Sequence, residues 1–228
     1  MNSAVFQERR RRLRRELEQR GLECAVLGSG WARPRNFAHN VFPFRAESHF
    51  LYFIGRHLEG AVLVTTPETE VLYLTARDPD LDLWAGPAPS LAELESELGL
   101  SVRDLDDFEA SPTAACIPPQ DDETAFWLSD LLDRDIVAQA GPDLEGVDAE
   151  LAEALVSLRL VHDEHAISQL RHAAHVSALA HRAGMRATRS ASHEFVVRGE
   201  MEGVILRHGM IPSYTSIVSV RGEILHNA

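Results

Sequence analysis

No lysine occurs anywhere in the 228 residues, so arginine is the only fully charged cation the chain uses. That absence points to a coding bias rather than a chemical requirement. It also leaves Gly28-Ser29-Gly30 and Arg221-Gly222 without the glycine series and Lys-Ser or Lys-Thr ending that a phosphate loop requires. Cysteine is scarce: Cys24 and Cys116 stand far apart among apolar neighbours, which excludes a disulfide framework and reads as buried free thiols in a reducing compartment. No metal role is assigned to them. No apolar run approaches the roughly 20 residues of a membrane helix, and the N-terminal arginines lead into a charged helix rather than a signal-peptide core. No membrane partner is expected, and the cytoplasm is the expected location. With 35 acidic residues and a formal charge of −13, the surface as a whole repels polyanions, so nucleic acid is not an expected partner.

What is present is ordinary for a folded protein. A hydrophobic fraction of 45% and a charged fraction of 25% allow one large core or two modest ones. The arginine block Arg9, Arg10, Arg11, Arg12, Arg14 and Arg15 can be read as a nucleic-acid arm, a targeting signal or one face of a solvated helix. The last reading is favoured, because Val5, Leu13 and Leu17 fall at helical spacing beside Phe6, and Glu8, Glu16 and Glu18 break the charge run.

The first helix is expected to end at Gly21 and feed a strand over Leu22 to Gly28. Phe50 to Gly55, Ala61 to Thr66 and Val71 to Ala76 read as β-rich runs, the last two joined as a hairpin by Pro67 to Glu70. Ser90 caps a helix carrying Leu91, Leu94 and Leu98, which Gly99 stops. Val102 to Leu105 reads as a strand, Glu123 to Leu132 as a helix, and Asp135 to Gln139 as a short strand. This alternation predicts an α/β domain with helices against a mixed sheet. Ala140 to Gly146 is the expected linker, giving domains at 1–145 and 146–228. Beyond it, Asp148 is expected to cap a helix to about Val161. A long helix follows from Asp163 to about Ala187, and another starts at Ser192. Strands are expected at Thr215 to Val220 and Glu223 to His226.

Four phrases carry a resemblance. They are Phe44 to Gly55; Asp82-Leu83-Trp84-Ala85-Gly86; Leu158-Arg159 with Asp163-Glu164, Ile167, Leu170-Arg171, Ala173-Ala174 and Ala180-His181; and Glu194, Gly209, Tyr214, Ser216-Ile217-Val218, Gly222 and Leu225-His226-Asn227. In this order they resemble the Xaa-Pro aminopeptidase and prolidase family of pita-bread metallopeptidases. The resemblance implies a creatinase/prolidase N-terminal-like accessory domain, with its mixed sheet, followed by the incomplete start of an α+β pita-bread catalytic domain. His162 stands where the family commonly has lysine.

The resemblance further implies an enzyme that removes the N-terminal residue from peptides with proline in second place. Two divalent metal ions, manganese foremost, would be its cofactors, and a homo-oligomer its assembly. The metal ligands it implies would lie after Ala228, so no metal ligand is assigned within the chain and the chain alone is expected to be inactive. It implies a catalytic role for His226, hydrogen-bonding substrate or tetrahedral intermediate; without that context His226 reads as an ordinary strand-end histidine. Trp84 resembles a tryptophan that covers a prolyl group in a neighbouring subunit, and a packed core or hinge tryptophan stays open beside it. Arg45 and Glu47 pair with the catalytic domain or with each other on a loop. His162 and His165, like His172 and His175, are spaced three apart and do not match a His-Glu-x-x-His zinc helix. Prolidase, and a noncatalytic binding or oligomerisation module, remain alternatives.

Overall fold

A computed structural model describes residues 3–109, 111–138 and 144–225, which fall into two compact units, 1–161 and 162–228. In the first unit, strand β1 (Ala25–Gly28) alternates its side chains between two cores: Ala25 and Leu27 enter one, Val26 the other. Strand β2 (Val62–Thr65) pairs with it antiparallel, Val26 opposite Val64, and does the same with β3 (Glu70–Tyr73). Strand β4 (Ser101–Arg103) adds parallel to β3, and β5 (Ala115–Cys116) parallel to β1. The order β4-β3-β2-β1-β5 is a mixed sheet with helices, as the alternation predicts.

Both faces are covered. Helix α1 (Ser3–Arg20) puts Leu13 and Leu17, fully buried, onto the face that holds Leu27, Leu63 and Leu72. Helix α4 (Leu91–Leu98) adds Leu94 and Leu98 there, capped by Ser90 in a capping box with Glu93 and closed by Gly99. Helix α5 (Asp122–Leu132) covers the opposite face with Leu128 and Leu132 beside Val26, Val62 and Cys116.

Four expectations are corrected in this unit. The aromatic run expected to be β forms helix α2 (Ser48–Ile54). Phe50, Phe53 and Ile54 recur at helical spacing and are fully buried, and the Glu47 carboxylate accepts from the backbone N–H groups of His49 and Phe50. Gly55 closes the helix at φ 74°, where a Cβ would meet the Phe6 ring at 2.3 Å. Capping and burial thus override β-propensity. Residues 135–138 form no strand; Ser129 Oγ accepts from Ile136 N at 2.8 Å and donates to Ile136 O at 3.3 Å, taking the place of a ladder partner. The rest of that expected strand, and Ala140 to Asp143 of the expected linker, lie outside the described residues.

The arginine block is the third. Arg11 and Arg15 face solvent as expected, but Arg9 and Arg10 are buried. Arg10 shares the helix face of Phe6, Leu13 and Leu17. Its guanidinium donates to Glu70 Oε1 at 2.9 Å, to Phe53 O at 3.0 Å and to Leu98 O at 3.0 Å, joining α1 to α2, β3 and α4.

Helix α6 (Gly146–Arg159) begins two residues before Asp148, so Asp148 is not its cap. Its carboxylate accepts instead from Cys116 N at 2.8 Å and from both terminal nitrogens of Arg134 at 3.0 and 2.8 Å. The helix packs on α1 and β5, with Leu151, Leu155 and Leu158 in the first core, so packing carries the first unit through Val161.

In the second unit, α7 (Glu164–Ala187), capped by Asp163, packs on α8 (Glu194–Arg207) through Ala180, Ala183 and Val204. Gly184 permits the approach, since a Cβ there would come within 2.7 Å of Met201 Sδ. The strands expected at Thr215 to Val220 and from Glu223 do not form among the described residues, which run to Leu225. Val220 is exposed and its N–H donates to the Glu194 carboxylate, and an isolated two-stranded ribbon has little to stabilise it in water.

Candidate functional site

The first and third phrases meet in the first unit. Tyr52 on α2 donates its hydroxyl to Leu158 O at 3.1 Å, at the end of α6. Arg159 Nη1 lies 3.0 Å from His49 Nδ1, and its guanidinium is 5.6 Å from the Tyr52 ring centre. On α1, Arg9 stands 4.2 Å from the same ring and donates to Tyr52 O at 3.0 Å. Tyr52 is therefore a hub between α1, α2 and α6, with two cations near its ring. Guanidinium can only donate, so His49 Nδ1 accepts and the neutral ring carries its proton on Nε2. Burial first, and the Arg159 charge second, hold His49 below the usual histidine range, against the opposing pull of Glu47.

A second feature lies where the parallel strands β1 and β5 end. There Trp31, Arg33, Phe44, Arg45, Glu47 and Asp121 border a crevice of about 310 Å³. Arg33 pairs with Asp121 at 3.0 Å, which itself caps α5 by accepting from Thr124 N. Arg45 donates to Ala46 O and to Ser48 Oγ, while Glu47 caps α2, so both residues of the first phrase hold their own loop.

Trp84 sits on a single helical turn, α3 (Asp82–Ala85), and is 84% exposed, which rules out a packed-core role among the described residues. The turn is tied by Arg77, which pairs with Asp82 at 2.7 Å and donates to Gly86 O, so the acidic residue and glycine of the second phrase shape the loop that presents the ring. His226 lies outside the described residues. Cys24 and Cys116 are free and buried. Burial foremost, with Glu23 for one and Asp148 for the other, pushes their thiols up to about 11 and about 12, far from thiolate chemistry at neutral pH. His162, His172 and His175 are exposed, and the described residues contain no group of three or more His, Cys, Asp or Glu able to hold a metal ion.

Sequence reasoning missed Arg10, the Tyr52 hub and the Arg134–Asp148 pair. Arg10 had a signal in its spacing from Leu13 and Leu17. The partners of Tyr52 and Asp148 are distant in sequence and left none.

Residues 6–116 match the family model described as "Aminopeptidase P, N-terminal domain". The chain carries an aminopeptidase P N-terminal domain. The match takes in most of α1, all of α2, the exposed Trp84 turn and all five strands of the sheet. A curated relative, the "Probable Xaa-Pro aminopeptidase PEPP" of Sordaria macrospora, is 27% identical over 191 residues, covering 79% of this chain and 32% of that protein. The solved aminopeptidase PepP of Pseudomonas aeruginosa superposes with a TM-score of 0.74 at 21% identity, covering 92% of this chain and 50% of that one. A zinc-substituted Escherichia coli aminopeptidase P in complex with product gives 0.62 at 21% over the same shares. At such identity the likeness establishes the fold alone. The chain spans about a third to a half of the length of the proteins it matches.

Proposed function

We propose that the chain is the leading part of a metal-dependent aminopeptidase that releases the N-terminal residue from peptides with proline in second place. The observation that supports it most is the family match over residues 6–116, which takes in the Phe44 to Gly55 and Trp84 phrases. In this reading residues 1–145 are the accessory domain, and α6, at 146–159, opens the catalytic domain while packing on the accessory sheet. Two divalent ions, manganese foremost, are its cofactors in the full-length protein, and no ligand for them is assigned within this chain. His226 hydrogen-bonds the substrate or its tetrahedral intermediate. The exposed Trp84 ring covers a prolyl group in a neighbouring subunit of a homo-oligomer, a role that suits a flat apolar side chain held on a tied turn. The cytoplasm is the site of action.

The test is peptide-length profiling of the full-length protein with manganese. Cleavage of Xaa-Pro peptides of three or more residues, lost on chelation, is the expected result. Exclusive cleavage of Xaa-Pro dipeptides would make it a prolidase, and a full-length protein without turnover would make the domain a noncatalytic module. The 228-residue chain alone is expected to show no metal-dependent turnover. In the full-length enzyme, Trp84→Ala raises KM for Xaa-Pro peptides more than it lowers kcat.

A further inference from the structure

From His165 to His193 the chain has no acidic residue but four arginines, Arg171, Arg182, Arg186 and Arg189, in a protein whose overall charge is −13. Most of this stretch is helix α7. The steps from Arg171 to His175, Arg182 and Arg186 are four, seven and four residues, which puts all four side chains on one side of the helix. Arg189 follows three residues on, in the turn after the helix, and all five residues are exposed. The side that packs on α8 carries Ala180 and Ala183, so the cations line the side turned away from it. From Arg171 to Arg186 the stripe runs about 22 Å.

Elsewhere in the molecule arginines meet carboxylates. In the first unit Arg10, Arg20, Arg33, Arg56, Arg77 and Arg134 each pair with an Asp or Glu, and in the second Arg198 on α8 pairs with Glu202 at 2.7 Å. Arg171, Arg182, Arg186 and Arg189 pair with no carboxylate among the described residues. Helix stability does not account for them. The helix dipole favours cations in the last turn, which covers Arg186 but not Arg171, and like charges one turn apart, such as Arg182 and Arg186, oppose the helix. What a free guanidinium offers is a planar fork that meets a carboxylate in two parallel hydrogen bonds.

We propose that this face of α7 binds a carboxylate-rich peptide segment of a partner protein, laid along the stripe so that its Asp and Glu side chains meet Arg171, Arg182 and Arg186. The rest of the molecule favours a short acidic peptide over a phosphate polymer or an anionic membrane. With 35 acidic residues against 22 arginines, the chain repels any polyanion that extends past the stripe. A segment held within the stripe feels that repulsion screened beyond about 8 Å at physiological salt, whereas its contact pairs persist. Such binding uses the second unit alone and does not depend on peptide cleavage.

Fluorescence anisotropy of a labelled polyglutamate of about 15 residues, long enough to follow the stripe as a helix, tests it when titrated with the 228-residue chain. Saturable binding that weakens as salt is raised is expected. Arg182→Glu combined with Arg186→Glu weakens it by about tenfold or more. Arg182→Gln with Arg186→Gln, which removes the charges without reversing them, gives a smaller loss, and far-UV circular dichroism checks that the helix persists in both variants. Arg11→Glu with Arg15→Glu makes the same change of net charge at exposed positions of α1 and leaves binding unchanged. No binding by the wild type overturns the proposal. So does a loss from the α7 reversals no larger than that from the α1 reversals, since net charge rather than the stripe would then set the affinity. Tighter binding of an oligothymidylate of the same length, or of vesicles containing phosphatidylserine, overturns it in favour of a nucleic acid or a membrane.

Discussion

The two compact units solve the burial problem to different degrees. The first covers both faces of its sheet, buries Leu13, Leu17, Phe50, Phe53, Leu63 and Leu72 completely, and tolerates a fully buried arginine because every direction of that guanidinium meets an acceptor. The second buries Ala180, Ala183 and Val204 between two helices and exposes Met185, Phe195, Leu206, Ile211, Tyr214 and Val220 among its described residues. Local order does not require a large core: α7 is 24 residues long, is capped by Asp163 and packs on α8. All three tryptophans, Trp31, Trp84 and Trp127, belong to the first unit, so fluorescence reports that unit while far-UV circular dichroism reports both. In urea the helical signal is expected to fall before the fluorescence does. Coincident transitions would break the comparison.

The largest expected effect is at Arg10. Arg10→Ala strands the Glu70 carboxylate and leaves Phe53 O and Leu98 O without their donor, which should cost about 3–5 kcal/mol in the fluorescence-monitored transition. Leu13→Ala follows at about 2–5 kcal/mol, because the side chain is fully buried and the surrounding elements are tied. The matching change in the second unit, Val204→Ala, should leave fluorescence unmoved and shift only the early part of the helical transition. Equal effects of Leu13→Ala and Val204→Ala on fluorescence would show that the units unfold as one.

Asp148→Asn comes next, at about 1–3 kcal/mol, since it keeps the shape but gives up the charge that holds Arg134 and the Cys116 N–H. The hydrogen bond to Asp148, foremost, raises the Arg134 pKa, so the guanidinium stays charged beside it. Hydrogen exchange should rise along α6 and little elsewhere. Unchanged exchange in α6 would mean that its apolar face alone fastens it to β5.

Much of the first unit was legible in the sequence because its signals are local. The β2–β3 hairpin, the Ser90 cap, the Gly99 stop and helix α5 all follow from patterns within a dozen residues. The α2 error shows the limit of propensity: an aromatic run looks like a strand until the Glu47 cap and the Phe50, Phe53, Ile54 spacing are weighed together. The strands expected after Tyr214 failed for a different reason, because a β pattern specifies nothing without a neighbouring strand or covering layer. Of the candidate site, the second phrase marked Trp84 but left open whether its ring was packed or exposed. The Tyr52 hub was not legible, since its partners Arg9 and Leu158 are 43 and 106 residues away in sequence.

The smallest expected effect belongs to that hub and depends on pH. His49 is held neutral in the fold, with its pKa lowered from 6.5 by burial and then by the Arg159 charge. Below about pH 6.5 the unfolded chain therefore binds a proton that the folded chain does not, so stability rises with pH through that window. The contribution is complete above the unfolded value and is lost as pH falls towards the depressed folded one. His49→Gln removes the titrating group while leaving a side-chain oxygen able to accept from Arg159. Its fluorescence-monitored stability should thus vary less between about pH 6.5 and 5 than that of the wild type. Parallel pH profiles would mean that a proton on His49 is accommodated without disturbing Arg159, and that the Tyr52 hub is held by its hydrogen bonds to Leu158 and Arg9 alone.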